Sequence, residues 1–225
     1  MMFFKKWFGP KLKPISYEKA THHFDVGAID KNAITVLKQL SKCGFSAYVV
    51  GGAIRDQLLK IPSKDCDVVT DAKPEKIVKK VKRTMLIGRR FRIVHARFGR
   101  DIVEISTFRS NISSRRRKIS REGIIKRDNI YGTIDEDVMR RDFTINALYY
   151  DYHKQTILDF VGGMDDLVAR RLRSIGDPME RFPEDPVRML RAIRFAAKLE
   201  LKVDPEILEA IQKHQSLLKE ISGQR

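Results

Sequence analysis

The sequence predicts an α+β fold, a small mixed sheet with helices followed by an all-helical segment. Two patterns carry that expectation. From Ile29 to Phe108 the order reads helix, strand, helix, strand, helix, then paired strands, which a helical bundle does not produce. After Asp185-Pro186 the pattern is wholly helical: Val187, Leu190, Ile193 and Ala197 share one face, followed by Ile207, Leu208, Ile211, Leu217 and Leu218. The 225 residues suffice for a real core and for one domain, or one domain with part of a second.

Residues 1–28 show no sustained periodicity and read as a basic, flexible leader. Ala33, Val36, Leu37 and Leu40 then form one helical stripe, ended by Gly44. Phe45 to Val50 reads as a strand broken by Gly51-Gly52, and Ala53 to Leu59 as a short helix. Asp65 to Thr70 reads as a second strand, and Pro74 opens a helix reaching about Arg83. Phe91–Phe98 and Asp101–Phe108 form a hairpin turned at Gly99-Arg100. Arg109 to Arg127 holds eight basic residues against one acidic, Glu122, and reads as a loop, either solvated or in contact with phosphate. Regular structure resumes at Ile134, with strands expected at Ile157–Val161 and Arg171–Ile175. A change of architecture falls near Arg181, which divides the chain into a leader (1–28), a head (29–180) and a helical neck (181–225).

Lys and Arg total 45 against 29 Asp and Glu, a net charge of +16. Such an imbalance favours a polyanionic partner, nucleic acid before an anionic membrane surface. Two cysteines, Cys43 and Cys66, exclude a disulfide scaffold and a Cys-based zinc site. No run approaches the ~18 apolar residues of a membrane span, and the amino-terminal segment lacks the pattern of a secretory signal. The expectation is a cytoplasmic protein.

Three clusters carry chemistry. Gly51-Gly52 between strand and helix places free backbone N–H groups at one spot, a geometry able to cradle phosphate. In a strand, Asp65 and Asp67 point to one face and Cys66 to the other. Two adjacent carboxylates repel and favour a cation, and Mg²⁺ suits such a pair near phosphate. The plainer alternative is two surface aspartates held by lysines such as Lys64. Glu104 stands as a candidate third carboxylate. In the second cluster, Arg140, Arg141 and Asp142 border an apolar stretch, so they either pair internally or bind ligand. The third cluster runs from Arg181 to Arg188. There Asp185 before Pro186 reads as a helix N-cap, and Arg188, Arg191 and Arg194 recur along one strip.

Five runs in fixed order resemble the class II branch of the polymerase-β-like nucleotidyltransferases, which holds bacterial CCA-adding enzymes and bacterial poly(A) polymerases. They are VVGGAIRD (Val49–Asp56), KDCDVVT (Lys64–Thr70), RRDFTINAL (Arg140–Leu148), LDFVGGMDDL (Leu158–Leu167) and RFPEDPVRMLRAIRFAAKL (Arg181–Leu199). Leu86–Gly99 and Asp128–Phe143 resemble the poly(A) polymerase segments more than the CCA-adding ones. The resemblance implies a nucleotidyltransferase head and neck that move AMP from ATP to RNA 3′ ends. It implies that Asp65 and Asp67 hold two Mg²⁺ ions, and that Gly51, Gly52 and Arg55 face the triphosphate. Arg141 and Asp142 would then meet the ribose, with Asp142 also counted as catalytic. Asp185 and Arg188 would read the base, supported by Glu184. Arg115, Arg116 and Arg117 are candidates for RNA contact. The resemblance also implies a helical body beyond Arg225, so the neck reads as the start of a truncated RNA-binding region.

Asp185 and Arg188 together would accept from and donate to adenine or cytosine, and reject guanine and uracil. They therefore leave CCA addition open beside polyadenylation, and a truncated, non-catalytic RNA-binding remnant is a third reading. His95 and His153 are isolated and read as ordinary structural residues.

Overall fold

A computed structural model of the chain describes residues 12–62, 66–88, 92–110, 118–119, 125–127 and 130–221. The first strand, β1 (Ile15–Tyr17), pairs with a strand far along the chain. Helix α1 (Lys31–Lys42) is capped by Asp30, whose carboxylate accepts from the Asn32 amide, and buries Ala33, Val36, Leu37 and Leu40. Gly44, at φ +80°, ends it. There follow β2 (Ala47–Val50), α2 (Gly52–Leu58), β3 (Asp67–Thr70), α3 (Pro74–Lys80), β4 (Thr84–Ile87), β5 (Ile93–Phe98) and β6 (Asp101–Thr107). Two short strands, β7 (Lys118–Ile119) and β8 (Ile125–Arg127), pair with each other within the expected loop.

Helix α4 (Ile134–Arg140) opens on a capping box, in which Thr133 and Glu136 satisfy each other's backbone N–H. Then come β9 (Leu148–Asp151), β10 (Thr156–Asp159), α5 (Gly163–Val168) and β11 (Arg171–Leu172). The chain continues through α6 (Pro178–Glu184), α7 (Val187–Leu199), β12 (Lys202–Val203) and α8 (Pro205–His214).

Eight strands form one sheet in the order β1-β10-β9-β2-β3-β6-β5-β4. All neighbours are antiparallel except β3 and β6. A large core that includes Val49, Val68, Val94 and Ile105 packs against α1 and α3. A smaller one holds Val50, Val69, Tyr149, Phe108 and Val138 of α4. The larger core runs on through Phe143, Leu172, Phe182, Met189, Leu199 and Ile207, so it crosses residue 181 without a break.

The leader reading of residues 1–28 is corrected for its described part. β1 lies in the sheet, Phe24 is buried in the core, and the His22 ring bonds the Gln155 carbonyl at 3.0 Å. Three strands of the main sheet escape the sequence pattern, and β12, paired with β11, interrupts the segment expected to be wholly helical. β9 is buried along nearly its whole length and shows no alternation. β4 follows a helix that stops at Lys80, with Arg83 at φ +59° turning the chain. β1 is a three-residue edge strand. The N-cap expectation for Asp185 also fails. Asp185 closes α6, and the residue before α7 is Pro186, which offers no side-chain acceptor.

Candidate active site

The site forms where β2 ends. Gly51 sits at φ +76° and ψ −128°, a conformation that only glycine adopts readily. A Cβ there would stand 3.8 Å from Arg141 Nη1 and from the Asn146 carbonyl. Asp67 opens β3 directly opposite Val50 and is exposed. Val68 and Val69 pair with Ile105 and Ser106 of β6, and the same register continued by one residue sets Asp67 beside Glu104 on a common face. Glu104 is itself exposed and lies 3.6 Å from His95 Nε2, so His95 is less isolated than its sequence context suggests. Asp65 lies outside the described residues, as do Arg115, Arg116 and Arg117. Among the described residues no three His, Cys, Asp or Glu side chains group as metal ligands. Asp67 and Glu104 offer oxygen donors only, the donor type that a hard cation such as magnesium takes.

Arg55 is buried. It donates to Asp56 Oδ1 (2.7 Å) and Asn146 Oδ1 (2.5 Å), and its guanidinium lies over the Phe195 ring. Its Nη2 stands 3.5 Å from where a Cβ at Gly52 would be. Asn146 is the bridge, because its Nδ2 donates to Asp142 Oδ1 at 3.1 Å. Asp142 Oδ1 also accepts the Phe143 amide, while Oδ2 is held by Arg191 of α7 at 2.6 Å. A continuous network therefore runs from the glycine turn through Arg55, Asn146 and Asp142 to α7.

Arg141 lies beside it. Nε donates to Tyr149 Oη (2.8 Å), and Nη2 and Nε both reach Asp137 Oδ2 (2.9 and 3.2 Å). Burial opposes the Arg141 charge, but Tyr149 and Asp137 outweigh it and raise the pKa. Burial raises the Tyr149 phenol, which therefore stays protonated and donates to Asp137 at 2.8 Å.

Arg181 and Arg188 fasten the α6–α7 junction to the end of α4. Arg181 Nη2 donates to the carbonyls of Met139 and Arg141, and Arg188 Nη2 donates to that of Arg140. These are the carbonyls a helix leaves without intrahelical partners at its end. Arg188 Nη1 donates to the Arg181 carbonyl at 3.0 Å. Glu184 accepts from Arg181 at 2.6 Å and stands 3.6 Å from Arg188. Burial and then the Arg181 charge lower the Arg188 pKa. The Asp185 carboxylate accepts no hydrogen bond among the described residues.

Of the expected site residues, the structure thus gathers Gly51, Gly52, Arg55, Arg141 and Asp142 around the turn, and Glu184, Asp185 and Arg188 around the start of α7. Sequence reading missed Asn146, Asp137, Tyr149 and Phe195 as members. Asn146 stood inside the RRDFTINAL run, where a buried amide in an apolar stretch is the available signal.

Fold and site together define a polymerase-β-like nucleotidyltransferase head. The family described as Poly A polymerase head domain matches residues 47–173, more than half of the chain, and the chain belongs to that family. It is 49% identical over 209 residues to poly(A) polymerase I of Haemophilus influenzae, covering 90% of this chain and 46% of that one. It is 38% identical over 195 residues to the CCA-adding enzyme of Lactobacillus helveticus, covering 86% and 47%. The crystal structure of the Bacillus stearothermophilus CCA-adding enzyme in complex with CTP superposes with a TM-score of 0.72 at 33% identity, over 84% of this chain and 44% of that one. The chain spans about half the length of these relatives.

Proposed function

We propose that the chain transfers AMP from ATP to RNA 3′ ends without a template and releases pyrophosphate. The observation that carries this reading is a fixed donor beside an acceptor at the start of α7. Arg188 is pinned by two backbone carbonyls, and the Asp185 carboxylate, whose charge acts on Arg188, takes no hydrogen bond among the described residues. A guanidinium only donates and a carboxylate only accepts. Adenine and cytosine present a ring-nitrogen acceptor beside an amino donor and match that pair; guanine and uracil do not. Higher identity to the H. influenzae poly(A) polymerase than to the L. helveticus CCA-adding enzyme supports adenylate as the product.

The chain's own groups divide the remaining work. The Gly51-Gly52 turn leaves room for the triphosphate beside Arg55. Arg141 keeps one N–H on each Nη beyond its internal bonds, and with Asp142 it orients the ribose. Asp65, Asp67 and Glu104 would hold two magnesium ions. Magnesium bound there would lower the pKa of the attacking RNA hydroxyl and neutralise charge on the departing pyrophosphate. The protein's contribution is position and preorganised charge, with no covalent nucleophile. A cytoplasmic location belongs to the same reading. Among the described residues, no helix is long and apolar enough to cross a membrane.

CCA addition is the second reading, favoured by the match to a CTP-bound CCA-adding structure and by the Asp185–Arg188 pair's acceptance of cytosine. The test offers the protein A-ended RNA and tRNA lacking CCA, with each labelled nucleoside triphosphate separately. Long A tails support polyadenylation. CCA alone supports the second reading. No incorporation leaves the chain as an RNA-binding remnant and overturns both.

A further inference from the structure

Asp137 occupies an unusual position. It lies in α4, four residues before Arg141, and is buried at 5% exposure. Its Oδ2 accepts from Arg141 Nη2 and Nε and from the Tyr149 hydroxyl. Tyr149, fully buried in β9, accepts from Arg141 Nε with the same hydroxyl. The three groups form a closed ring of hydrogen bonds. Asp137 Oδ1 accepts the backbone amide of Arg109 at 3.2 Å, at the base of the basic segment after β6. The neighbouring Glu136 holds Ser110 Oγ at 2.7 Å, and the Ser110 amide bonds the Ile130 carbonyl, so both ends of that segment are tied to the start of α4.

We propose that Asp137 and Tyr149 are positioning residues for the nucleotide site and act through Arg141. Rigid bidentate capture of Nε and Nη2 fixes the plane of the guanidinium. Nη1, which keeps one N–H beyond its bond to the Asn146 carbonyl, then stands at the Gly51 turn, where a Cβ would meet it at 3.8 Å. Without the Asp137–Tyr149 clamp, Arg141 gains rotamers, and a nucleotide must order it on binding. The same carboxylate anchors Arg109, so the stem of the basic segment and the nucleotide-facing arginine share one fixed point. An Asn at 137 has a single acceptor oxygen and cannot serve both the Arg109 amide and Arg141 with Tyr149.

The inference rests on the nucleotide-site reading above, and a double-mutant cycle separates the two. Asp137→Asn, Arg141→Ala and the double variant are compared for ATP KM, kcat and ATP affinity by equilibrium binding. The expected result is a tenfold or larger rise in ATP KM and Kd for each single variant, with kcat falling less. In the Arg141→Ala background, Asp137→Asn should add almost nothing. If Arg141→Ala leaves ATP affinity unchanged, the nucleotide-site reading itself falls. If Arg141→Ala weakens ATP but the two effects multiply, Asp137 does not act through Arg141 and the proposal is overturned. Should Asp137→Asn fail to fold, Tyr149→Phe keeps the buried ring and removes only the bridging hydroxyl. The same cycle with Arg141→Ala then decides between non-additive and multiplied effects.

Discussion

Arg188 donates to the carbonyls of Arg181 and Arg140, so its guanidinium is already in place before any base arrives. Asp185 caps neither helix with its side chain, which separates a structural role from a selective one. Asp185→Asn should leave thermal unfolding almost unchanged. It should relax nucleotide choice toward G or U, because an amide can rotate and donate. If Arg188 reads the base as proposed, Arg188→Ala should lose more, since the base's ring nitrogen would be left without a donor, at about 1–3 kcal/mol. Relative incorporation of the four triphosphates, measured beside thermal unfolding, checks both; unchanged selectivity in both would remove the pair from base reading. The cysteines give a second residue-scale test. Burial, then the charges of Asp30 and Asp67, push the Cys66 thiol up to about 12, against a backbone hydrogen bond at Asp30 that lowers it. Cys43 is exposed. Near pH 8.5 a thiol reagent should therefore label Cys43 quickly and Cys66 only on unfolding, because the thiolate is the nucleophile. The sign follows from the raised pKa: Cys66 favours the fold below the unfolded thiol range, and that contribution is lost as pH climbs toward 12. Fast labelling of both residues in the native protein would contradict the burial beside Asp67.

The run Leu158–Leu167 acts as a buttress at the scale of elements. Asp159 ties the turn after β10 by accepting the amides of Val161, Gly162 and Met164. Asp166 of α5 accepts from Thr144 Oγ1 at 2.6 Å and from Arg173 Nε at 2.9 Å. Gly163 packs so closely on the Thr144 carbonyl that a Cβ would collide with backbone. Thr144 begins the single turn that ends at Asn146, the bridge between Arg55 and Asp142. Gly163→Ala should therefore destabilise the fold by about 1–3 kcal/mol through overpacking. It should also raise the KM for ATP, since the bridging amide moves with its turn. Urea unfolding and steady-state kinetics on the same preparation read both effects, and wild-type values in each would show that the contact relaxes without consequence.

For the molecule as a whole, the +16 charge sets how it would meet the RNA proposed as its substrate. Binding should weaken steeply with salt and depend little on sequence, with log affinity falling by roughly 0.7 per log unit of salt for each single-strand phosphate contacted. Neutralising Arg115, Arg116 and Arg117 together should flatten that slope if the segment touches RNA. A flat slope for the unaltered protein would contradict phosphate contact altogether. The larger core runs from the sheet into α6, α7 and α8 without interruption. Arg191 and Phe195 of α7 touch Asp142, Arg55 and Phe143. Head and neck, proposed as separate segments at residue 181, are therefore joined through the site itself.

Local patterns sufficed for the α+β class, for the stripe of α1 and for the β5–β6 hairpin, because apolar spacing and a glycine stop are properties of neighbouring residues. The glycine turn and the two arginine-aspartate clusters were legible for the same reason, since each is contiguous. The strands β1, β4 and β9 were not. β1, an edge strand of three residues, and β9, buried along nearly its whole length, carry no alternation, and only their distant partners make them strands. Partner choice was hidden too. Arg55 finds Asn146 across 91 residues and Arg191 finds Asp142 across 49. The Asp185 side chain, an N-cap by local rules, is released because Pro186 takes the position before α7 and the chain closes α6 first. Residue types and spacing limited what the site could contain. Which carboxylate is tied down and which stands open was decided by tertiary packing, since a hydrogen bond depends on distance in space and not on separation along the chain.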